Sequence, residues 1–243
     1  MKSFIFSFLL LSTTLSLLPF VVFSSSFTST NPIVLPTTTD DDNDLPVLSE
    51  VLDTNGKPLQ IGEEYHIISA SWRTGGGVYL TNLTNTKCPN DVVQHWEGSK
   101  DGMPVKFFTM DPEVAPSSVV RETNDINIMF SVPTTKLCVN ETVWKVGDPD
   151  STEQGVRFVV TGGTLGYPGP ITIKSWFKIE KVTKTAPFYK LRYCPDRYLC
   201  PMCYVGCSDV GLTADRDVVG DKRLVLNDQP FWVVFEKFQK TDA

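Results

Sequence analysis

The sequence lacks the residue patterns that common classes of enzyme use for catalysis. Its 243 residues include two histidines, His66 and His95, and neither has the spacing of a metal-binding His-Glu-x-x-His motif. A Gly-x-Ser-x-Gly nucleophile motif and a Walker phosphate loop are also missing. His66 lies within a predicted strand, where we expect a packed or surface side chain rather than a general base. We therefore expect a protein that is not an enzyme and that uses no metal or cofactor.

Basic clusters are also missing. The chain has 28 acidic and 22 basic residues, which gives a formal net charge of −6. Nucleic acids and anionic membranes bind patches of Lys and Arg, and no such run occurs here. We expect a monomer that binds neither nucleic acid nor, in its mature form, a membrane.

Long apolar runs are confined to the N-terminus. Phe4–Phe23 follows Lys2 and is followed by three small residues, Ser24–Ser26, that suit signal peptidase. A membrane anchor is the alternative, since about 20 apolar residues can span a bilayer. Pro19 and the small residues after the run favour cleavage instead. The sequence thus predicts a signal peptide over residues 1–26.

Composition divides the rest of the chain. Residues 27–44 are rich in Ser, Thr and Pro and end in the acidic run 40–44, which is typical of a linker or propeptide. That run lacks the Gly and the terminal Glu of a calcium-binding loop, so we expect a solvated hinge. Residues 45–239 have the texture of one folded domain, with short apolar runs between turn-forming residues.

The domain contains about twelve short apolar runs and no useful length of helical periodicity. Alternation is clear at Ile126, Ile128 and Phe130, as expected for a strand with one buried face. The predicted strands are Tyr65–Ser71, Val78–Thr81, Val105–Phe108, Val119–Val120, Ile126–Phe130, Val143–Val146, Val156–Val160, Trp176–Glu180, Phe188–Tyr193, Val210–Leu212, Arg223–Leu226 and Phe231–Phe235. They predict an all-β domain, closed as a barrel or packed as a sandwich.

Six cysteines follow the predicted leader, so we expect them to be oxidised. Four lie within residues 194–207, and the other two are Cys88 and Cys138. Six cysteines allow fifteen pairings, and the sequence alone does not choose among them. A Cys-x-x-Cys redox centre or a four-cysteine zinc site is the alternative for the cluster, disfavoured in an oxidising compartment.

Several sequence blocks occur in a recognisable order along the domain. They are Val51-Leu-Asp53-Thr-Asn-Gly56-Lys-Pro-Leu59 with Tyr65-His-Ile67, Asn85-Thr-Lys-Cys88-Pro, Lys136-Leu-Cys138-Val-Asn-Glu-Thr-Val-Trp144, Ser175-Trp-Phe-Lys-Ile-Glu180, Phe188-Tyr-Lys-Leu-Arg-Tyr-Cys194 and Arg223-Leu-Val-Leu-Asn-Asp-Gln-Pro-Phe231. In the first block a polar turn, whose glycine permits positive φ, joins two strands. Together the blocks resemble the soybean-type Kunitz proteinase inhibitor family, including its miraculin-like and sporamin-like members.

The resemblance implies a fold and a mode of action. The fold is a β-trefoil of about twelve antiparallel strands in three pseudo-repeats, stapled by disulfides. The implied pairs are Cys88 with Cys138, Cys194 with Cys207, and Cys200 with Cys203. The implied activity is inhibition of an endopeptidase, in which a rigid scaffold holds one loop extended in the protease cleft. We expect a serine endopeptidase first, and a cysteine or aspartic endopeptidase as alternatives.

The corresponding inhibitory loop is Thr109–Ser118. The residue that fills the primary pocket of the protease is expected among Pro112, Glu113, Val114, Ala115, Pro116 and Ser117. Trypsin needs a cation there, because its pocket ends in a carboxylate, and no Lys or Arg stands between Lys106 and Arg121. Strong trypsin inhibition is therefore not expected.

Two further features of the loop region bear on its target. Ile61 replaces an Asn that supports the loop in the family, and Glu113 would meet trypsin's pocket with like charge. Val114 or Ala115 suits the small apolar pocket of an elastase-like or subtilisin-like protease. The alternative interpretation is that the loop is an ordinary surface turn.

Modification and sorting signals follow from the secretory route. Glycosylation sequons begin at Asn82 and Asn140. Residues 31–36 resemble the vacuolar sorting element of sporamin, with Val34 in place of the usual Arg, and a Pro-containing linker is the alternative. The matching residues are Asn31, Pro32, Ile33, Leu35 and Pro36. We expect the vacuole or the extracellular space as the destination.

Two other functions compete with inhibition. One is a vacuolar storage protein whose inhibitory loop has decayed. The other is a trefoil binding module for a small ligand or carbohydrate, which should carry a pocket away from the Thr109–Ser118 loop.

Overall fold

Short β-strands form where runs of β-branched and aromatic residues are interrupted by Gly, Pro, Asn or Asp every few positions. The computed structural model describes residues 48–83, 88, 90–110, 118–132, 142–151, 155–213 and 220–239. In these residues the strands are β1 Glu64–Ser69, β2 Val78–Thr81, β3 Asp91–Gln94, β4 Val105–Phe108, β5 Asn127–Phe130, β6 Trp144–Val146, β7 Val159–Thr161, β8 Lys178–Lys181, β9 Tyr189–Tyr193, β10 Ser208–Leu212, β11 Lys222–Asn227 and β12 Trp232–Lys237. Short 3₁₀ helices cover Trp72–Thr74 and Ile173–Ser175. Within the described residues no helix is long and apolar enough to span a membrane.

The all-β prediction is confirmed, with two corrections to the strand assignment. Val119–Val120 is not a strand, because Val119 makes only an isolated bridge to Gln60. Asp91–Gln94 was not predicted, yet it forms β3 and pairs with β2, β7 and β11. All four side chains of β3 are buried, so the segment lacks the alternation that marks a half-buried strand. The two errors cancel, which is why the predicted number of strands agrees with the structure.

Six strands form a closed antiparallel ring. β1 pairs with β4 and β12, β4 pairs with β5, and β9 pairs with β8 and β12. The ring is completed just before β5 and β8, where the amides of Ile126 and Phe177 donate to each other's carbonyl oxygens at 2.8 and 2.9 Å. A closed ring has no free edge at which another chain could add a strand.

The other six strands form three hairpins, β2–β3, β6–β7 and β10–β11. Each hairpin is the middle of a four-strand unit, and the hairpins contact one another where β3 pairs with β7 and β11. The chain therefore repeats one arrangement three times around the barrel, as the sequence blocks implied.

Each unit contributes large aromatic side chains to the core. Phe107 of the first unit packs edge-on against Phe235 of the third, with ring centroids 5.6 Å apart. Trp144 and Phe177 of the second unit make a similar contact at 6.4 Å. All four are fully buried, and burying a side chain of this kind stabilises the fold by roughly 1.5–3 kcal/mol.

Candidate functional site

The connection between β4 and β5 contains the predicted inhibitory loop. The two strands pair from Val105 with Phe130 to Phe108 with Asn127, so residues 109–126 form the connection. The predicted specificity residues Pro112, Glu113, Val114, Ala115, Pro116 and Ser117 lie outside the described residues. The structure does describe both ends of the loop, at Met110 and Ser118.

Both ends of the loop are held by the segment Leu59–Gly62, which we call the loop frame. Before the loop, the carbonyl oxygen of Phe107 accepts from the Gly62 amide at 3.0 Å. After it, Ser118 O accepts from the Ile61 amide and the Val120 amide donates to Leu59 O, both at 2.8 Å. Phe107 and Val120 are buried in the barrel core. The connection is thus fixed immediately before and after residues 109–118.

The loop frame is itself held by a polar turn. The amides of Asn55 and Lys57 donate to Asp53 Oδ1 at 2.8 and 2.9 Å, which closes the Asp53–Gly56 turn. Gly56 has φ of 73°, a conformation that favours glycine. The turn directs Leu59 back beside Val51, whose carbonyl accepts from the Leu59 amide at 2.8 Å. The predicted turn is therefore present, and it helps to hold the loop frame in place.

Ile61 lies directly beneath the end of the loop. Its side chain is 2% exposed and belongs to the barrel core, and only its backbone amide reaches the loop. An apolar side chain cannot hydrogen-bond loop carbonyls, so Ile61 supports the loop through its backbone amide, while its side chain packs in the barrel core.

The cations that border the loop are engaged within the protein. Lys106 Nζ lies 3.5 Å from Glu64 Oε1. Arg121 Nη1 donates to Leu48 O at 2.7 Å, and its Nη2 lies 3.8 Å from Glu50 Oε1. Neither side chain is therefore placed to serve as the missing basic specificity residue.

A charge cluster that begins at Asp125, farther along the same connection, consists of Lys178, Asp125, Asp196 and Tyr198 and is called the Lys178 cluster. Lys178 and Asp125 are buried, whereas Asp196 and Tyr198 are exposed. Lys178 Nζ donates to Asp196 Oδ2 at 2.8 Å and lies 3.1 Å from Asp125 Oδ2. Tyr198 donates its hydroxyl to Asp125 Oδ2 at 3.0 Å. Burial raises the pKa of the Asp125 carboxyl above its ordinary value, while Lys178 and Tyr198 oppose that shift.

The Lys178 cluster joins the connection to the cysteine-rich loop. Lys178 Nζ also donates to Thr123 O at 2.8 Å, and Thr123 has φ of 63°, unusual for a residue other than glycine. Asp196 and Tyr198 lie within residues 194–207. Sequence reasoning missed this cluster because the bonded residues are up to 73 positions apart and share no local motif.

The cysteine-rich loop is cross-linked twice. Disulfides join Cys194 to Cys207 and Cys200 to Cys203. Its Leu199 packs with Ile173 and Trp176 in a second, smaller apolar cluster.

The remaining cysteine pairing is only half described. Cys88 is disulfide-bonded, but its predicted partner Cys138 lies outside the described residues, so that pairing stays a prediction. No cysteine within the described residues is free.

The two histidines are packed against aromatic rings. His66 meets Phe238 edge-on at 5.4 Å, and His95 stacks on Tyr79 at 3.8 Å. Desolvation lowers the pKa of His95, although its Nδ1 lies 3.6 Å from Asp221 Oδ2. The described residues contain no group of three or more His, Cys, Asp or Glu that could hold a metal ion.

Several predicted sites fall outside the described part of the chain. These are the signal peptide, the sorting residues Asn31, Pro32, Ile33, Leu35 and Pro36, and the sequon residue Asn140. Asn82 is described and exposed, as is the next residue, Leu83. Glycosylation, sorting and the boundaries of the three predicted regions stay predictions.

Comparison with known proteins agrees with this architecture. A family model described as trypsin and protease inhibitor, the legume Kunitz family, matches residues 51–237. The chain belongs to the legume Kunitz family. Cysteine protease inhibitor 1 of Solanum tuberosum, a Kunitz relative, is 46% identical over 87% of this chain and 88% of its own length. Aspartic protease inhibitor 1 of the same plant is 39% identical over 92% of this chain and 96% of its own.

Solved Kunitz structures share the fold. The Kunitz-type cysteine protease inhibitor PCPI-3 from potato matches with a TM-score of 0.67 and 49% identity, covering 80% of this chain and all of that one. The β-trefoil prediction is thereby confirmed, and so is the family resemblance.

Proposed function

We propose that this Kunitz protein inhibits endopeptidases and that residues 109–118 are the segment that enters the protease cleft. The observation that carries the proposal is the loop frame, which binds Phe107, Ser118 and Val120 on the two sides of the loop. Fixed ends reduce the conformational entropy that the segment loses on binding, and this favours tight association. The activity is binding rather than catalysis.

Cysteine endopeptidases of the papain type are the target class that we propose. The sequence alone favoured a serine protease, but the potato relative that is 46% identical is named for inhibition of cysteine proteases. Trypsin is disfavoured on physical grounds. The sequence has no cation between Lys106 and Arg121, and both of these side chains are engaged within the protein.

A panel of proteases tests the proposal. The purified mature protein would be titrated against papain, trypsin, chymotrypsin, elastase, subtilisin and pepsin, each at a known active-site concentration. We expect stoichiometric inhibition of papain and none of trypsin. Inhibition of a serine or aspartic enzyme alone would replace the proposed class. No inhibition of any enzyme at micromolar concentration would favour the storage protein.

A further inference from the structure

A cavity lies at the opposite end of β1 from the loop frame. It has a volume of about 500 Å³ and is lined by the end of β1, the ends of β10 and β11, and the turn before β12. The loop frame precedes β1, and the cavity residues Ser69–Ser71 end and follow it. A strand rises about 3.3 Å per residue, so the two ends of β1 are separated by about 17 Å. The cavity is therefore distinct from the proposed inhibitory site.

The walls of this cavity are mostly apolar and aromatic. Phe188, Phe231 and Trp232 line it together with Leu212 and Pro230. Trp232 is 46% exposed, so part of its ring is accessible to a ligand in the cavity. Cavities of this size with aromatic walls are typical of small-molecule sites.

Backbone hydrogen bonds hold the walls in place. The Ala70 amide donates to Trp232 O at 2.9 Å, which joins one wall to the next. The Phe231 amide donates to Val210 O at 2.9 Å, and Pro230 bridges to Gly211. A side chain at position 211 would clash, because its Cβ would lie 2.3 Å from Gln229 O. The cavity is thus formed before any ligand arrives.

The polar side chains that line the cavity differ in whether they already have partners within the protein. Ser69 Oγ and Thr74 Oγ1 lie 2.6 Å apart, and Thr74 donates to Ser71 O at 2.8 Å, so these hydroxyls bond each other. Lys222 is the charged residue among the described lining residues, and it makes no ion pair within the described part of the chain. No carboxylate lies among the described lining residues to pair with Lys222. The cavity therefore suits an anion that has an apolar body.

We propose that this cavity binds a small amphipathic anion, with a flat aromatic body against Trp232 and Phe188 and an acidic group beside Lys222. Carboxylates and sulfonates share the required chemistry. The site is independent of the proposed inhibitory loop, so one molecule can carry both functions.

The test uses two probes that differ only in charge. Anilinonaphthalene sulfonate supplies the aromatic anion, and N-phenyl-naphthylamine is the same ring system without the sulfonate. Calorimetric titration of the mature protein should show one site for the anion. Lys222→Met should weaken the anion about tenfold, the equivalent of one charge-assisted hydrogen bond, and leave the neutral probe unchanged. Lys57→Met is the matched control, since Lys57 is exposed in the Asp53 turn.

A second pair of variants tests the apolar walls. Trp232→Ala should weaken both probes, and Ala70→Phe should block both by filling the cavity. Both variants should still inhibit the target protease like wild type, which separates this proposal from the inhibitory one. The proposal is overturned if wild type does not bind the anion at millimolar concentration, if these substitutions leave binding unchanged, or if Lys222→Met weakens both probes equally.

Discussion

At the scale of single residues, the Lys178 cluster contains a buried ion pair between Lys178 and Asp125. The Lys178 and Asp125 side chains are 7% and 0% exposed, so both charges have left water. Asp125 Oδ2 is approached by Lys178 Nζ, the Tyr198 hydroxyl and the Asp196 amide. Such a pair need not add net stability, but losing one partner leaves the other charge buried and uncompensated.

Lys178→Met should therefore lower the free energy of unfolding by about 3–5 kcal/mol, because Asp125 would remain buried without a counter-charge. Urea unfolding followed by fluorescence measures the change. Adding Asp125→Asn to Lys178→Met should recover part of the loss, since the uncompensated carboxylate is then removed.

Lys174→Met is the matched control for this prediction. Lys174 pairs with Asp148 at 2.5 Å, but the two side chains are 42% and 87% exposed. Water screens an exposed pair, so this variant should unfold close to wild type. Equal, small effects of both lysine substitutions would show that the Lys178 cluster is not structurally important.

At the scale of elements, the loop frame links the barrel core to the inhibitory loop. Leu59 and Ile61 are buried in the barrel while their backbone groups bind the ends of the loop. The frame and the loop are therefore coupled through the same few residues.

Ile61→Ala should destabilise the domain by about 2–4 kcal/mol, because it removes a buried apolar side chain and leaves a cavity in the barrel core. Protease inhibition should weaken as well, since the backbone amide that binds Ser118 is then held less firmly by the core. Chemical denaturation and inhibition titration measure the two effects. Ile171→Ala is the control: Ile171 is 92% exposed, and its loss should change stability by less than about 0.5 kcal/mol.

The elements also show what sequence patterns can and cannot predict. β1 and β5 were predicted to within two residues because their buried residues alternate with partly exposed ones or lie in clear apolar runs. β3 was missed because its buried ends are the polar Asp91 and Gln94, whose partners come from distant segments. Asp91 pairs with Arg223 at 2.8 Å, a contact that no local spacing reveals.

At the scale of the whole molecule, threefold repetition of one four-strand unit closes the barrel. The proposed inhibitory segment lies in one of the connections between its strands. The strand pattern predicted an all-β domain, and the family resemblance of blocks such as the one around Asp53–Gly56 implied the threefold architecture. The Lys178 cluster and the cavity beside Trp232 could not be predicted, because both are assembled from residues that only the closed barrel brings together.

The central claim is that residues 109–118 are the segment that enters a protease cleft, and a gain of trypsin inhibition tests it most directly. Ala115→Arg and Pro116→Arg would supply the cation that trypsin's pocket requires, with Ser118→Arg as a control outside the expected specificity positions. Each purified variant would be titrated against trypsin. The account predicts that at least one of the first two inhibits at micromolar concentration, whereas wild type and the control do not. Failure of both, in folded protein, would contradict it and favour the storage or ligand-binding function.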